Sequence, residues 1–244
     1  MHLLVDNSNT RTKFALAADG VVAPPFSIIP TADLSEHSIR DVLAGHLFTQ
    51  TTVCSVVPQA AEVLEKTIPG PLHQLTYRSP LPITIDYPRP DQIGADRLAN
   101  AAAVATTDPN QAAIVIDFGT AVTFDVLSAE NAYLGGVIAP GTAALRDYLH
   151  QKTALLPAIT FEEPKTAIGR STEAAMLSGA IHGYRGLIAN ILEKIIAELP
   201  GPAVIYATGG DAPLLTKDLP RPAQVDPLLT LKGIDLVSRA AFSS

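Results

Sequence analysis

Tryptophan is absent from this chain of 244 residues, cysteine occurs once, and only 17% of the residues are charged. Cys54 alone can make neither an internal disulfide nor a thiolate zinc site, and the six histidines show no HExxH spacing. It reads as a small buried hydrophobe. No two glycines stand two apart, and GxxxxGK and GxSxG are both missing, which removes the dinucleotide fingerprint, the P-loop and the nucleophile elbow. Any nucleotide must be held another way. No apolar run approaches the roughly 18 residues that span a bilayer, and the opening MHLLVDNSNT lacks a basic leader segment. A cytoplasmic protein with no membrane partner is expected. Seventeen Lys and Arg against 24 Asp and Glu leave a formal net charge of −7, so no nucleic-acid partner is expected either.

What is present is apolar: 47% hydrophobic residues with few aromatics, which builds a core from Ala, Val, Ile and Leu, and 20 prolines that punctuate short elements. Within this composition lies a diverged internal repeat. LLVDNSNTRTKFALAA (3–18) and IVIDFGTAVTFDVLSA (114–129) each read as an apolar strand ending in Asp, a turn of small polar residues, and a second strand. Each is followed by a third extended segment, VVAPPFSII in one half and AYLGGVIAP in the other, which predicts two β-meanders. TTVCSVVP running into QAAEVLEKTI, and VIYATGGDAPLL, repeat a strand, turn and helix order. The expected fold is therefore α/β in two duplicated halves, 1–110 and 111–244. GADRLANAAAVATTD predicts the helix closing the first half, with Asp108-Pro109 as its breaker. Thr172 is expected to cap a long helix reaching about Leu199, and Gly179, Gly183 and Gly186 on one side of it predict close approach by another backbone, such as a helix.

The strand-end turns suit phosphate chemistry. Asp6 followed by Ser8, Asn9 and Thr10 aims backbone N–H groups and hydroxyls at one point, and Lys13 adds a charge. Alone, the segment reads first as an Asx-type turn joining two strands, with Lys13 solvated. The repeat adds weight, because Asp117, Gly119, Thr120 and Thr123 reproduce the arrangement, and two such turns facing a cleft would clasp a nucleotide's phosphates and cations, with Asp6 a candidate for Mg²⁺. Thr208, Gly209 and Gly210 form a third strand-end turn whose glycines admit a base or ribose; a plain turn into a helix is the alternative.

DNSNTRTK, SVVP, IGADR, IDFGTAVTFDV, LGGVIAPG, TALLP, GRSTEAAMLSGAIHG and ATGGD, in this order along nearly the whole chain, resemble the type III pantothenate kinases, a branch of the acetate and sugar kinase/Hsp70/actin superfamily. The resemblance implies two ribonuclease H-like (actin-like ATPase) domains, each a mixed five-stranded sheet with flanking helices. It implies ATP-dependent phosphorylation of pantothenate, Mg²⁺ on the nucleotide, K⁺ or NH₄⁺ as activator, and a homodimer. By matching position, Asp6, Asn7, Ser8, Asn9, Thr10, Arg11, Thr12 and Lys13 bind ATP phosphates, Thr120 contacts the nucleotide, and Asp117 holds the monovalent cation. Tyr87, Gly94, Ala95, Asp96, Arg97 and Thr172 match pantothenate-binding positions, with Asp96 as general base. Without the family, Asp96-Arg97 at a helix start reads as a capping acid and a surface cation.

One position departs from the family pattern Asp-x-Gly-Asn-Thr: Ser8 stands where the glycine belongs. If the turn needs positive φ there, the Cβ costs on the order of 1 kcal/mol, whereas a hydroxyl donating to phosphate contributes about 1.5 to 3 kcal/mol. The steric effect is expected to win slightly, so that Ser8→Gly lowers the KM for ATP. Two rival readings are a noncatalytic accessory or regulatory protein of the same family and another small-molecule kinase or phosphatase of the superfamily. Separated carboxylates combined with phosphate turns argue against the first, and GADR against the second.

Overall fold

A computed structural model describes residues 1–243. The chain forms two compact units, one holding Met1–Asn110, Ala129–Leu134 and the segment from Leu228 on, the other Gln111–Ser128 and Gly135–Pro227.

The first unit opens with β1 (His2–Asn7) and β2 (Arg11–Ala18), an antiparallel pair whose register sets Asp6 opposite Lys13 and Asn7 opposite Thr12. The third extended segment is not one strand. It breaks at Pro24-Pro25 into β3 (Val21–Val22) and β4 (Ser27–Pro30), both paired with β2, because consecutive prolines lack the N–H groups a ladder needs. Next come α1 (Glu36–Leu43), β5 (Gln50–Ser55), α2 (Pro58–Thr67) and β6 (Leu72–Gln74). The order β3-β2-β1-β5-β6, with β4 in line with β3, fills five positions; β5 runs parallel to both β1 and β6. Leu3, Val5, Phe14 and Val53 face Ile39 of α1 and Leu64 of α2 in one core. Leu4 on the opposite face of β1 is also fully buried, so this strand reads as a continuous apolar run rather than an alternation. Then β7 (Thr84–Ile85) and the alanine-rich α3 (Ala95–Thr107) follow, α3 ending at Asp108 before Pro109.

The second unit repeats the plan. β8 (Ala112–Phe118) and β9 (Ala121–Leu127) form an antiparallel hairpin, and β10 (Ala132–Pro140) is its third strand. The first residues of β10 belong to the first unit and pair with β7. α4 (Thr142–Lys152) precedes a long connection and α5 (Thr172–Glu198). β11 (Ala203–Gly209) lies parallel to β8, as β5 does to β1, and leads through α6 (Ala212–Leu215) to β12 (Gln224–Val225). Ile114, Ile116 and Phe124 of the hairpin pack against Ile181, Tyr184, Ile188 and Leu192 of α5.

Two expectations about α5 need correction. Ser171, not Thr172, is the cap, its side chain accepting from the Ala174 N–H at 3.1 Å, and Thr172 is the first helical residue. A Cβ at Gly179, Gly183 or Gly186 would meet nothing within 4 Å, so among the described residues no backbone approaches them. The close approach occurs instead on α7 (Leu229–Ala241), where the chain returns to the first unit and where a single division at residue 110 would not place it. A Cβ on Gly233 would fall 1.8 Å from the Ala99 carbonyl oxygen of α3, and Thr230 donates to buried Asn100 at 2.8 Å. Only glycine against an alanine-rich helix permits this separation.

Candidate active site

In the first unit, the β1–β2 turn brings Asp6 to Lys13 together. Asp6 is nearly buried and its Oδ2 accepts from Lys13 Nζ at 2.9 Å, with the Lys13 side chain about one-third exposed. Asn9, Thr10 and Arg11 are exposed at the tip. Asn7 and Thr12 point the other way: Asn7 is 1% exposed and Thr12 fully buried. Asn7 Nδ2 donates to Thr12 Oγ1 at 2.7 Å and to Thr31 Oγ1 at 3.3 Å, and its Oδ1 accepts from Ser55 Oγ at 2.6 Å. These two side chains, expected among the ATP contacts, brace the turn from within. The Ser8 hydroxyl donates to the Arg11 carbonyl at 3.1 Å and accepts from the Arg11 N–H at 3.4 Å. Ser8 is not among the residues with left-handed backbone, which are Asp19, Asn110, Asn131 and Asp218 outside glycine, so the strain expected of a serine here does not arise.

The start of α3 lies beside this turn. Val56 N–H donates to the Asn7 carbonyl at 3.1 Å, and the Val56 side chain lies 3.6 Å from where a Cβ on Gly94 would stand. Asp96 is thereby set at the same end of the sheet as the Asp6 turn. Its Oδ1 accepts from the Arg97 N–H at 2.8 Å, and a Cβ on Gly94 would come within 2.5 Å of that oxygen. A helix N-terminus favours the ionised carboxylate, the form that accepts a hydroxyl proton. Ala95 is buried, and the Arg97 guanidinium lies 5.8 Å from the Tyr133 ring centroid, over the ring. Tyr133 in turn meets Tyr87 edge-on at 6.2 Å. Tyr133 is fully buried and backs the other two, so the half-buried Tyr87 and Arg97 alone present a surface, an aromatic ring with a cation near it, suited to a small organic anion.

In the second unit, β8 lies between β9 and β11, and the register puts Asp117 beside Thr123 on one side and Thr208 on the other. Thr120 is exposed at the hairpin tip. Gly209, at φ +94°, would place a Cβ 2.4 Å from the Phe118 carbonyl oxygen, so glycine is required where β11 ends. A third turn joins them: a Cβ on Gly141, between β10 and α4, would lie 2.2 Å from the Thr120 carbonyl oxygen. Thr142 Oγ1 donates to Asp211 Oδ2, and Tyr184 OH donates to the Pro140 carbonyl. Burial and the Asp211 charge push the Tyr184 phenol up to about 12, so it remains a donor. Thr172 also falls in this unit, exposed at the first position of α5.

Sequence reasoning missed Thr31, Ser55, Tyr133, Gly141, Thr142, Tyr184 and Asp211. Ser55, Gly141 and Asp211 sit inside SVVP, LGGVIAPG and ATGGD, strings that mark strands, turns and the family but assign these residues no contact. Nothing local distinguishes Thr31 or Tyr184, whose partners lie 24 and 44 positions away.

Comparison with known proteins shows the family. The family described as type III pantothenate kinase matches residues 2–194. A type III pantothenate kinase of Akkermansia muciniphila is 48% identical over 237 residues, covering 97% of this chain and 98% of that protein. One from Methylacidiphilum infernorum is 43% identical, covering 96% and 87%. Among solved structures, a ROK family glucokinase from Streptomyces griseus superposes with a TM-score of 0.58 at 14% identity, covering 97% of this chain and 99% of that one. That likeness shows a sugar kinase/actin-like ATPase fold.

Proposed function

The chain belongs to the type III pantothenate kinase family, and from that premise we propose which of its residues carry the reaction. The protein is an ATP-dependent kinase that converts pantothenate to 4'-phosphopantothenate in coenzyme A biosynthesis. The observation that carries the assignment of roles is the placement of Asp96 beside the Asp6 turn through Val56.

The γ-phosphate lies at the β1–β2 turn, against the Asn9 N–H and Lys13. Asp96 accepts the pantothenate hydroxyl proton as the phosphoryl group transfers. Phosphoryl transfer passes through a loose transition state, so the carboxylate's main task is to orient the hydroxyl. Arg97, Tyr87, Gly94 and Ala95 hold pantothenate by its carboxylate and its aliphatic body, with Thr172 as a further contact. Thr120, Thr208, Gly209 and Gly210 hold the rest of the nucleotide.

A divalent cation accompanies ATP in kinases and neutralises charge on the phosphates when bound. Mg²⁺ is commonly held by one or two carboxylates plus phosphates, and Asp6, with one oxygen paired to Lys13, fits as a single protein ligand. Among the described residues no cluster of three or more His, Cys, Asp or Glu exists to hold a metal without the nucleotide. Asp117, flanked in register by two threonines, would hold K⁺ or NH₄⁺, for which one carboxylate with hydroxyl and carbonyl oxygens is a fitting set. A cytoplasmic homodimer is part of this reading, supported by the family resemblance and by the exposed glycine side of α5. No helix among the described residues is long and apolar enough to cross a membrane.

The test is a coupled ATP assay with pantothenate, Mg²⁺, and either K⁺ or Na⁺, with the product identified by mass spectrometry. Phosphopantothenate forming faster in K⁺ supports the whole assignment. Product formed equally well in Na⁺ removes the monovalent-cation role of Asp117, and no product at millimolar ATP returns the protein to the accessory reading.

A further inference from the structure

The β1–β2 turn is shaped by a residue outside it. Thr31, the first residue after β4, takes two carbonyls of the turn: its Oγ1 donates to the Ser8 oxygen at 2.7 Å and its N–H to the Thr10 oxygen at 3.0 Å. The hydroxyl has one proton, and the neighbouring donors direct it. Asn7 Nδ2 donates to Thr31 Oγ1 and to Thr12 Oγ1, and Thr12 Oγ1 lies 3.1 Å from Thr31 Oγ1. With Thr12 donating onward, Thr31 receives two hydrogen bonds and its single proton goes to Ser8. Asn7 is itself fixed from β5, where Ser55 donates to its Oδ1.

The consequence follows from peptide planarity. The Ser8–Asn9 peptide is trans, so a Ser8 carbonyl held toward Thr31 points the N–H of Asn9 the opposite way, on the exposed side of the turn. That N–H has no hydrogen-bond partner among the described residues. Ser8 contributes from its own side, because its hydroxyl accepts the Arg11 N–H and so supplies a turn-closing acceptor while its carbonyl serves Thr31. We propose that Thr31 is a positioning residue for nucleotide binding: through its hydroxyl it sets the Ser8–Asn9 peptide so that the Asn9 N–H is presented to a phosphate oxygen of ATP. Asn7, Thr12 and Ser55 form the buried chain that aims this hydroxyl. Backbone N–H groups gathered on one side of a turn, with the carbonyls drawn to the other, make an anion-binding concavity.

The inference rests on the reading that this turn takes the phosphates, and the experiment separates the two. MgATP affinity is measured by titration calorimetry for the wild type, Thr31→Val, Thr31→Ser and Lys13→Ala, alongside both Michaelis constants and melting temperature. Valine keeps the shape and the backbone N–H and deletes the hydroxyl. The expected result is MgATP binding weakened about tenfold in Thr31→Val, with the pantothenate KM changed by less than about twofold and recovery of ATP affinity in Thr31→Ser. Thr31→Val binding ATP as the wild type does, while Lys13→Ala weakens it, overturns the role of Thr31 alone. Unchanged ATP binding in Lys13→Ala overturns the placement of the phosphates. Equal losses for ATP and pantothenate with a lower melting temperature would show a purely structural threonine and would also overturn the proposal.

Discussion

Gly141 abuts the carbonyl of Thr120 so closely that an added Cβ would lie 2.2 Å from the oxygen and 2.6 Å from the neighbouring Gly119 oxygen. Two turns on separate strands of the second unit therefore share one space, and the hairpin tip proposed to meet the nucleotide is propped by Gly141. Gly141→Ala must displace backbone rather than a flexible side chain. Such overpacking costs about 1 to 3 kcal/mol, and the expected outcome is a lower melting temperature with a raised KM for ATP. Steady-state kinetics at varied ATP, with thermal denaturation, check this; wild-type values in both would mean that the turns separate easily.

Asp96→Asn keeps the size and the hydrogen bond from Arg97 N–H and removes the base. The kcat is expected to fall by about 10² to 10⁴, with pantothenate binding, measured by calorimetry, largely retained. A kcat within severalfold of wild type would move proton acceptance to another group.

For Ser8→Gly the structure reverses the expectation drawn from the family pattern. Without left-handed backbone at Ser8 there is no strain for glycine to relieve, and the substitution deletes two hydrogen bonds to Arg11 while adding backbone freedom. The KM for ATP is expected to rise about two- to fivefold, with the KM for pantothenate unchanged. A lower KM for ATP would show that the turn tightens around phosphate in a way that serine opposes.

Arg185, buried on α5, holds Glu163 of the preceding connection through two hydrogen bonds, at 2.9 and 2.7 Å, and also donates to the Leu214 carbonyl at 2.7 Å. The Arg185 hydrogen bonds bring the Glu163 carboxyl from 4.5 down to about 2. A carboxylate with a depressed folded value stabilises fully above its unfolded value and loses this contribution as pH falls through the folded one. The melting-temperature difference between wild type and Glu163→Gln should therefore be constant above about pH 5 and shrink between about 4.5 and 2. Calorimetric scans of both proteins across that range measure it, and a difference that does not vary with pH would mean the pair is held by packing alone.

The local elements and the duplication were legible because they are written in short-range pattern. An apolar strand, a terminal Asp and a polar turn recur at residues 3–18 and 114–129, and α3 carries its breaker at Asp108-Pro109. The roles of side chains within those patterns were not legible. Asn7 and Ser8 stand side by side in DNSNT, yet Asn7 turns into the core and Ser8 closes on Arg11, because strand alternation puts one under the sheet's neighbours and the turn leaves the other at its edge. Glycine shows the same division: Gly179, Gly183 and Gly186 announce themselves by spacing and meet nothing, while the isolated Gly233 and Gly141 each lie against a backbone carbonyl. Composition and period depend on neighbours along the chain, and these the sequence states outright. Which carbonyl an N–H or hydroxyl finds 24 or 44 residues away depends on strand order and register, and only the folded chain, which must satisfy every buried polar group at once, decides it.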